Sequence, residues 1–396
     1  MTATTSTVSN INQTAIIKAL RDHGPMSRVR ISELTGLSPA TVNRLTTALL
    51  DQHIIVRDGH EPSTGGRPSL IFRYTGGRRV VASVQLRSDR IRGALVDFGG
   101  TMIERQEDVA EVAPTRPRQL PRDDERLTMT LDLFERLVER AEDLGRACVG
   151  VGVSVPGVVS EPDGRIGFLP ELGWPELPLG EVLRERTDLP IIIENDANAL
   201  AYGELRRGAG VGVNSLVALL LDNGMGAGII TNGSLHRGRH SEAGEIGYLL
   251  MERSSLRRSY TDLGDLEDRV GSVALTRTAI SRGLQVPENT LITAHDVIEM
   301  ADNGNEIAAE MTEEILDMVS MALAAMSVIL DPEAIVVGSG ISSDTNGIIL
   351  RLQERLSGRI IRVPRLLASG LGDDGVLLGV AELAMNEVDR VDFVPR

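Results

Sequence analysis

Asn195 and Asp196 place an amide and a carboxylate side by side at the end of the apolar run Pro190-Ile191-Ile192-Ile193. A short β-branched run that ends in an acid is the pattern of a buried strand delivering a carboxylate into a cleft. The following Ala197-Asn198-Ala199-Leu200-Ala201 reads as the first turns of a helix. Asp196 therefore falls at a helix N-terminus, where backbone N–H groups favour a negative group. Three roles fit such an Asp: a base that takes a proton from a substrate hydroxyl, an acceptor that only holds the hydroxyl, or a helix cap.

The elements that must position this pair belong to a chain of 396 residues, long enough for two or three domains. A hydrophobic content of 42% is ample for real cores, and the single cysteine, Cys148, excludes a disulfide framework and any Cys-rich zinc module. The opening MTATTSTVSN has neither a cationic start nor an apolar core, so no secretory leader is expected. The stretch from Met318 to Leu330, interrupted by Ser320 and Ser327, is too short to span a bilayer and reads as a core helix. A cytoplasmic protein without membrane contact is expected. The chain carries a net charge of −15, yet residues 1–75 hold eight Lys and Arg against five acids. A basic head on an acidic body suggests nucleic-acid contact confined to the head.

In that head, Ile11, Ala15, Ile16, Ala19 and Leu20 share one helical face closed by Gly24-Pro25. Ser27 can cap a second helix carrying Ile31 and Leu34 and stopped by Gly36. Ser38 then caps a third, with Pro39 at its first position and Val42, Leu45, Leu49 and, at the edge, Ala48 facing inward. Two helices joined by a tight Gly turn are a helix-turn-helix. Ile54-Ile55-Val56 and Leu70-Ile71-Phe72, flanking GHEPSTGGRPS, read as the strands of a wing. The residues expected at DNA are Ser38, Pro39, Ala40, Thr41, Asn43 and Arg44 on the third helix, and Arg67 at the wing tip. Arg44 can donate to guanine or phosphate, Thr41 and Asn43 offer short hydrogen-bonding groups, and Arg67 can enter a minor groove. A three-helix packing module with a loose hairpin fits the same pattern.

Downstream, Val80 to Leu86, Ile91 to Phe98 and Met102 to Val109 are strand-like runs joined by tight turns, followed by a Pro-rich loop. A helix striped with Leu127, Leu131, Phe134, Val138 and Ala141 comes next, then a strand from Cys148 to Val155. Ser215 to Leu221, Ala227 to Thr231 and Ala334 to Val337 repeat the rhythm, which suggests a duplicated α/β body with a cleft between its halves. The stretches GVGVSVPGVV (150–159), IIIENDANALAYGE (191–204), LLLDNGMGAGIITNG (219–233), HRGRHSEAGEIGY (236–248) and DPEAIVVGSGI (331–341) resemble the ROK family of repressors, open reading frames and sugar kinases. The resemblance implies an actin-like, two-lobed, sugar kinase-type ATPase fold. A winged helix in front resembles the repressor branch, which includes xylose and N-acetylglucosamine regulators. The expected domains are a winged helix-turn-helix over residues 1–76 and an effector-binding, oligomerising body over residues 77–396.

The resemblance also marks departures. The family's kinases carry Asp-x-Gly-Gly-Thr in the first hairpin, where glycines admit ATP phosphates and the Asp helps place Mg²⁺. Gln85-Leu86-Arg87-Ser88 stands there instead, so phosphoryl transfer is not expected, no catalytic residue is assigned and no cofactor is implied. The second glycine turn, Asn223-Gly224-Met225-Gly226-Ala227-Gly228, survives, and it also reads as a plain hairpin turn. By the resemblance the sugar contacts are Asn195, Asp196, Glu245, Tyr248 (where the family has His) and Glu267, while capping or surface roles stay open for the first three. The family's zinc loop, aligned on Gly264 and Glu267, has its three Cys positions at Arg258, Tyr260 and Asp265, so no metal is expected. The reading is a sugar-responsive repressor that binds palindromic operator DNA as a homodimer or homotetramer, in which Asp196 holds the sugar. The alternatives are a sugar kinase with an appended head and a regulator that has lost sugar sensing.

Overall fold

The structure, a computed structural model, describes residues 5–61, 69–110, 125–160, 163–260 apart from 168, 170–172 and 175, 263–341 apart from 289, and 344–393. The head follows its local signals closely. Helix α1 (Thr5–His23) leads to strand β1 (Met26–Ser27), α2 (Arg28–Thr35), α3 (Pro39–Asp51), β2 (Ile55–His60) and β3 (Leu70–Tyr74). Ser27 caps α2 by accepting from the Arg30 N–H, Gly36 ends it in the left-handed conformation, and Ser38 caps α3 by accepting from Thr41 N–H. Val42, Leu45 and Leu49 are buried as expected. Leu34 is not: it is 37% exposed, because the eight-residue α2 seats only Ile31 inside. The wing hairpin pairs Ile55 with Tyr74 and Arg57 with Phe72, and β1 adds a third strand against Phe72 that the sequence pattern did not reveal. Arg67 lies outside the described residues.

The body contains two five-stranded sheets of one topology. In the first, β4 (Arg79–Leu86), β5 (Arg90–Asp97) and β6 (Met102–Val109) form an antiparallel meander. After α4 (Glu125–Asp143), β7 (Ala147–Val155) joins β4 in parallel. The small hairpin β8 (Val159–Ser160) and β9 (Arg165–Ile166) and helix α5 (Leu179–Arg184) precede β10 (Ile191–Asn195), parallel to β7. Helix α6 (Asp196–Arg207) then crosses to the second sheet. There β11 (Leu216–Leu221), β12 (Met225–Thr231) and β13 (Ser234–Leu235) repeat the meander. Helices α7 (Glu267–Val270), α8 (Ser272–Ser281), α9 (Ala294–Asp302) and α10 (Glu306–Leu330) cover its outer face. Strand β14 (Ala334–Val337), helix α11 (Thr345–Leu356) and strand β15 (Arg365–Ala368) complete the sheet, and α12 (Gly375–Phe393) crosses back to the first. The strand orders β10-β7-β4-β5-β6 and β15-β14-β11-β12-β13 are therefore equivalent.

The two halves meet through α6 and α12, which lie against one another between the sheets. Their contact needs missing side chains. A Cβ on Gly379 would stand 1.7 Å from the Ala199 carbonyl oxygen, and one on Gly203 2.7 Å from that of Gly375. Strand glycines seat the same helices on their sheets. A Cβ on Gly152 would come within 2.5 Å of the Val380 oxygen on α12, and one on Gly228 within 2.1 Å of the Ala197 oxygen on α6. Two of the glycine-rich motifs thus serve helix packing. At a solvent-facing helical site Gly→Ala stabilises by about 1 kcal/mol, but here the added methyl meets backbone. Gly379→Ala is expected to destabilise by about 2–3 kcal/mol, read as a lower midpoint in urea denaturation.

Candidate functional site

A cleft of about 970 Å³ opens between the sheets. Its walls include all five residues assigned to the effector, Asn195, Asp196, Glu245, Tyr248 and Glu267. Asn195 and Asp196 arrive at the end of β10, where the strand hands over to α6. Asn195 is the helix cap: its Oδ1 accepts from Ala197 N–H at 2.9 Å and Asn198 N–H at 3.1 Å, and its Nδ2 donates to the Gly157 carbonyl at 3.0 Å. Both acceptor lone pairs are committed, which leaves one amide N–H for a ligand. Asn195 can therefore offer a ligand a donor, and the adjacent Asp196 carboxylate an acceptor.

Asp196 is the first helical residue and, among the described residues, accepts only its own neighbour's N–H, from Ala197 at 2.8 Å. Burial pushes its carboxyl up to about 7, with the nearby Asp222 and Glu245 charges adding to the rise. Glu267 is likewise pushed up to about 7 by burial and by Glu245, and Glu245 itself is raised by burial and Glu242. Three carboxyl groups thus line one cleft, and among the described residues none of them forms an ion pair. Such a lining suits hydroxyl groups, since each oxygen can accept from a sugar O–H and a protonated carboxyl can also donate.

The two turns at which the family resemblance implies a nucleotide are bonded to each other. Arg87, after β4, donates from Nη2 to Asp222 Oδ1 at 2.8 Å across the cleft and from Nε to Asp89 Oδ1 at 3.3 Å. Beside it, Asn223 Nδ2 donates to Ser88 Oγ at 2.8 Å. A further bridge between the halves escaped sequence reasoning. Glu194, only 3% exposed, accepts from Arg237 Nη2 at 2.6 Å and Nε at 2.9 Å, and from Asn198 Nδ2 at 3.0 Å. This pair ties the 236–245 loop to the foot of α6. Its only sequence signal is a charged residue on an otherwise apolar strand.

The loop where the family holds zinc is built around a carboxylate. Asp265, 1% exposed, accepts on Oδ2 from Met251 N–H at 2.7 Å and Ser255 Oγ at 2.6 Å. Its Oδ1 accepts from Tyr260 OH at 2.7 Å and Arg269 Nη2 at 3.1 Å. These donors hold the carboxyl below the usual carboxylate range despite its burial. With both oxygens occupied, and Tyr248, Arg258 and Tyr260 at the other ligand positions, this residue set does not fit zinc. Among the described residues no group of three or more His, Cys, Asp or Glu is arranged to hold a metal ion.

In the head, Ser38, Pro39, Ala40, Asn43 and Arg44 are exposed and Thr41 half-buried at the start of α3. Thr41 Oγ1 lies 2.9 Å from Ser38 Oγ, so these two hydroxyls are engaged in the cap. Asn43 and Arg44 are the long side chains this surface presents. Among the described residues no helix is long and apolar enough to cross a membrane.

A winged helix joined to two equivalent α/β lobes around a carboxylate-floored cleft defines a DNA-binding head on a sugar kinase-type, actin-like body. The ROK family profile matches residues 83–387 and a winged helix-turn-helix DNA-binding profile matches residues 9–56. The chain belongs to the ROK family. It is 27% identical over 394 residues to the xylose repressor of Caldicellulosiruptor bescii, covering 96% of this chain and 97% of that protein. It is also 29% identical over 308 residues to the glucokinase of Streptomyces coelicolor, covering 73% of this chain and 96% of the kinase. The crystal structure of a ROK family transcriptional regulator, homolog of the E. coli MLC protein, superposes with a TM-score of 0.75 at 22% identity, covering 97% of each chain.

Two outcomes follow from the charges. Between about pH 4 and 7 the native Asp196 carboxyl keeps a proton that the unfolded chain has released, so its contribution to stability falls as pH rises through that window. Asp196→Asn is expected to raise the melting temperature above wild type at pH 8, the gain vanishing towards pH 4; thermal melts across that range measure it. Asp265→Asn turns one acceptor oxygen of the hub into a donor facing donors. It is expected to cost about 3 kcal/mol, read by urea denaturation, whereas a chelator should leave the wild-type melting temperature unchanged.

Proposed function

We propose that this protein is a sugar-responsive transcriptional repressor of carbohydrate-metabolism genes whose kinase-like cleft binds its effector without phosphorylating it. The observation that carries this reading is the Arg87–Asp222 contact. It joins the two opposing turns between which the family resemblance implies nucleotide phosphates, while Asp196, Glu245 and Glu267 line the cleft beside them. Asp196, Glu245 and Glu267 accept sugar hydroxyls, the spare Asn195 N–H donates to one, and Tyr248 lines the rim. In this reading Asp196 holds a sugar hydroxyl, and with no phosphoryl donor held beside it, removing that hydroxyl's proton leads to no transfer.

The winged helix, residues 1–76, reads DNA through Asn43 and Arg44, with Ser38, Pro39, Ala40 and Thr41 against the backbone at the α3 N-terminus and Arg67 on the wing. The body, residues 77–396, binds effector and pairs with a second copy, giving a cytoplasmic homodimer or homotetramer on a two-fold operator. The repressor relatives support the regulatory reading. The glucokinase relatives favour the rival, a kinase with an appended head.

One set of measurements separates them. A DNA duplex selected by the full-length protein from a random pool is titrated with protein and then with D-xylose or D-glucose, and sugar-dependent ADP formation is assayed alongside. Expected are sugar-dependent release of the duplex and no ADP. Arg44→Ala should weaken duplex binding by about 1–3 kcal/mol, the usual size of one lost base contact. Asp196→Asn should bind the duplex normally but need on the order of tenfold more sugar for release. Robust ADP formation by the wild type, abolished in Asp196→Asn, would make the protein an enzyme.

A further inference from the structure

Helix α6 begins in the cleft at Asp196 and ends, about 18 Å away by helical rise, at Arg206 and Arg207. That far end touches the head. Arg206 Nη2 donates to the backbone oxygen of Arg21 on α1 at 3.4 Å. Arg207 Nε donates to Glu382 Oε1 at 2.5 Å, and its Nη2 donates to the Phe98 carbonyl at 3.2 Å. Glu382 Oε2 meanwhile lies 3.7 Å from Arg21 Nη2. One carboxylate on α12 therefore faces a cation from the effector helix and a cation from the DNA-binding head, one on each oxygen.

Two of this joint's three members are buried: the side chains of Arg21 and Glu382 are 6% and 3% exposed, while that of Arg207 is 28% exposed. Around it Arg21 also pairs with Asp389 and donates to Asn386 Oδ1 at 3.0 Å. The Arg79 and Arg21 guanidiniums lie over the Phe98 ring, 4.4 and 5.8 Å from its centre. Removing one partner of a buried pair leaves the other charge uncompensated, so the three elements resist separate movement. The head keeps a second attachment that does not pass through these charges. Ile16, Ile17 and Leu20 of α1 share a core with Leu377, Ala381 and Met385 of α12. A neutralised joint therefore loosens the link without releasing the head.

We propose that Glu382, with Arg207 and Arg21, is the positioning element that couples the cleft to the DNA-binding head, a reading that rests on the function proposed above. A ligand that draws Asp196 toward the opposite lobe shifts α6 as a rod. Arg207 moves with it, and Glu382 passes the movement to Arg21 and the head. By linkage, DNA held by the head must bias the cleft in return. This reciprocal arm needs no knowledge of the sugar.

The test uses the full-length protein and the pool-selected duplex. Amide hydrogen exchange over residues 191–200 and 236–248 is measured with and without saturating duplex, for wild type, Glu382→Gln and Arg207→Lys. Melting curves verify folding, and Arg207→Lys serves if Glu382→Gln fails to fold. In wild type, duplex binding is expected to change exchange in these cleft segments at least twofold. In the variants the duplex should bind within threefold of wild-type affinity while the cleft response is lost. Folded variants whose cleft still responds like wild type would overturn the proposal, as would a wild-type cleft indifferent to bound duplex. A wild-type protein that selects no duplex from the pool would instead bring down the regulatory function on which the proposal rests.

Discussion

The rest of the structure depends on two helices that touch backbone to backbone. The axes of α6 and α12 approach closely because Gly203 and Gly379 offer no side chains at the crossing. Each helix follows the last strand of one sheet and packs on the other, so neither lobe is complete without a helix from its counterpart. Dispersion contacts at such a crossing are many and short-ranged, and a methyl group is enough to lose them. The glycines of β7 and β12 extend the same constraint outward by bringing each sheet close to its helix.

This arrangement decides where charge can be buried. Glu204, wholly buried on α6, accepts from the backbone N–H groups of Ala209, Gly370 and Leu371 and so fastens the end of β15 to the helix. Glu194 at the foot of α6 is matched by Arg237, and Glu382 on α12 by Arg207 and Arg21. Each pair joins segments far apart in the chain, and all lie along the two crossing helices. By contrast, Asp196, Glu245 and Glu267 form no ion pair among the described residues. The cleft keeps three carboxyl groups in a setting that resists their ionisation, a cost typical of sites held ready for a ligand.

The zinc loop and the phosphate turns show one substitution logic. In each, side chains of this chain bond one another at positions where the family resemblance implies an exogenous group. Asp265 gathers Met251, Ser255, Tyr260 and Arg269 where a metal would gather ligands. Arg87 and Asp222 neutralise one another between the two turns at which the family resemblance implies a nucleotide. Both internal solutions keep the local framework closed.

Local pattern determined much of this protein. The caps Ser27 and Ser38, the stop at Gly36, the wing strands and the two α/β meanders are written in short-range periodicity and turn chemistry, whose energetics involve neighbours a few residues away. The lost phosphate motif and the altered zinc ligands were equally legible, because each is a change of residue type at a position the family resemblance marks. The cleft residues Asn195, Asp196, Glu245, Tyr248 and Glu267 were named from that resemblance, and the fold brings them to one cavity. Only the tertiary structure decided what those side chains have left to offer. Asn195 gives its acceptor to the helix end, and Leu34 faces water because α2 is too short to bury it. Arg87 finds Asp222 at a separation of 135 residues, and Arg207 finds Glu382 at 175. A charged residue shows its class in the sequence, but its partner depends on which strands and helices the crossing of α6 and α12 brings within three ångströms.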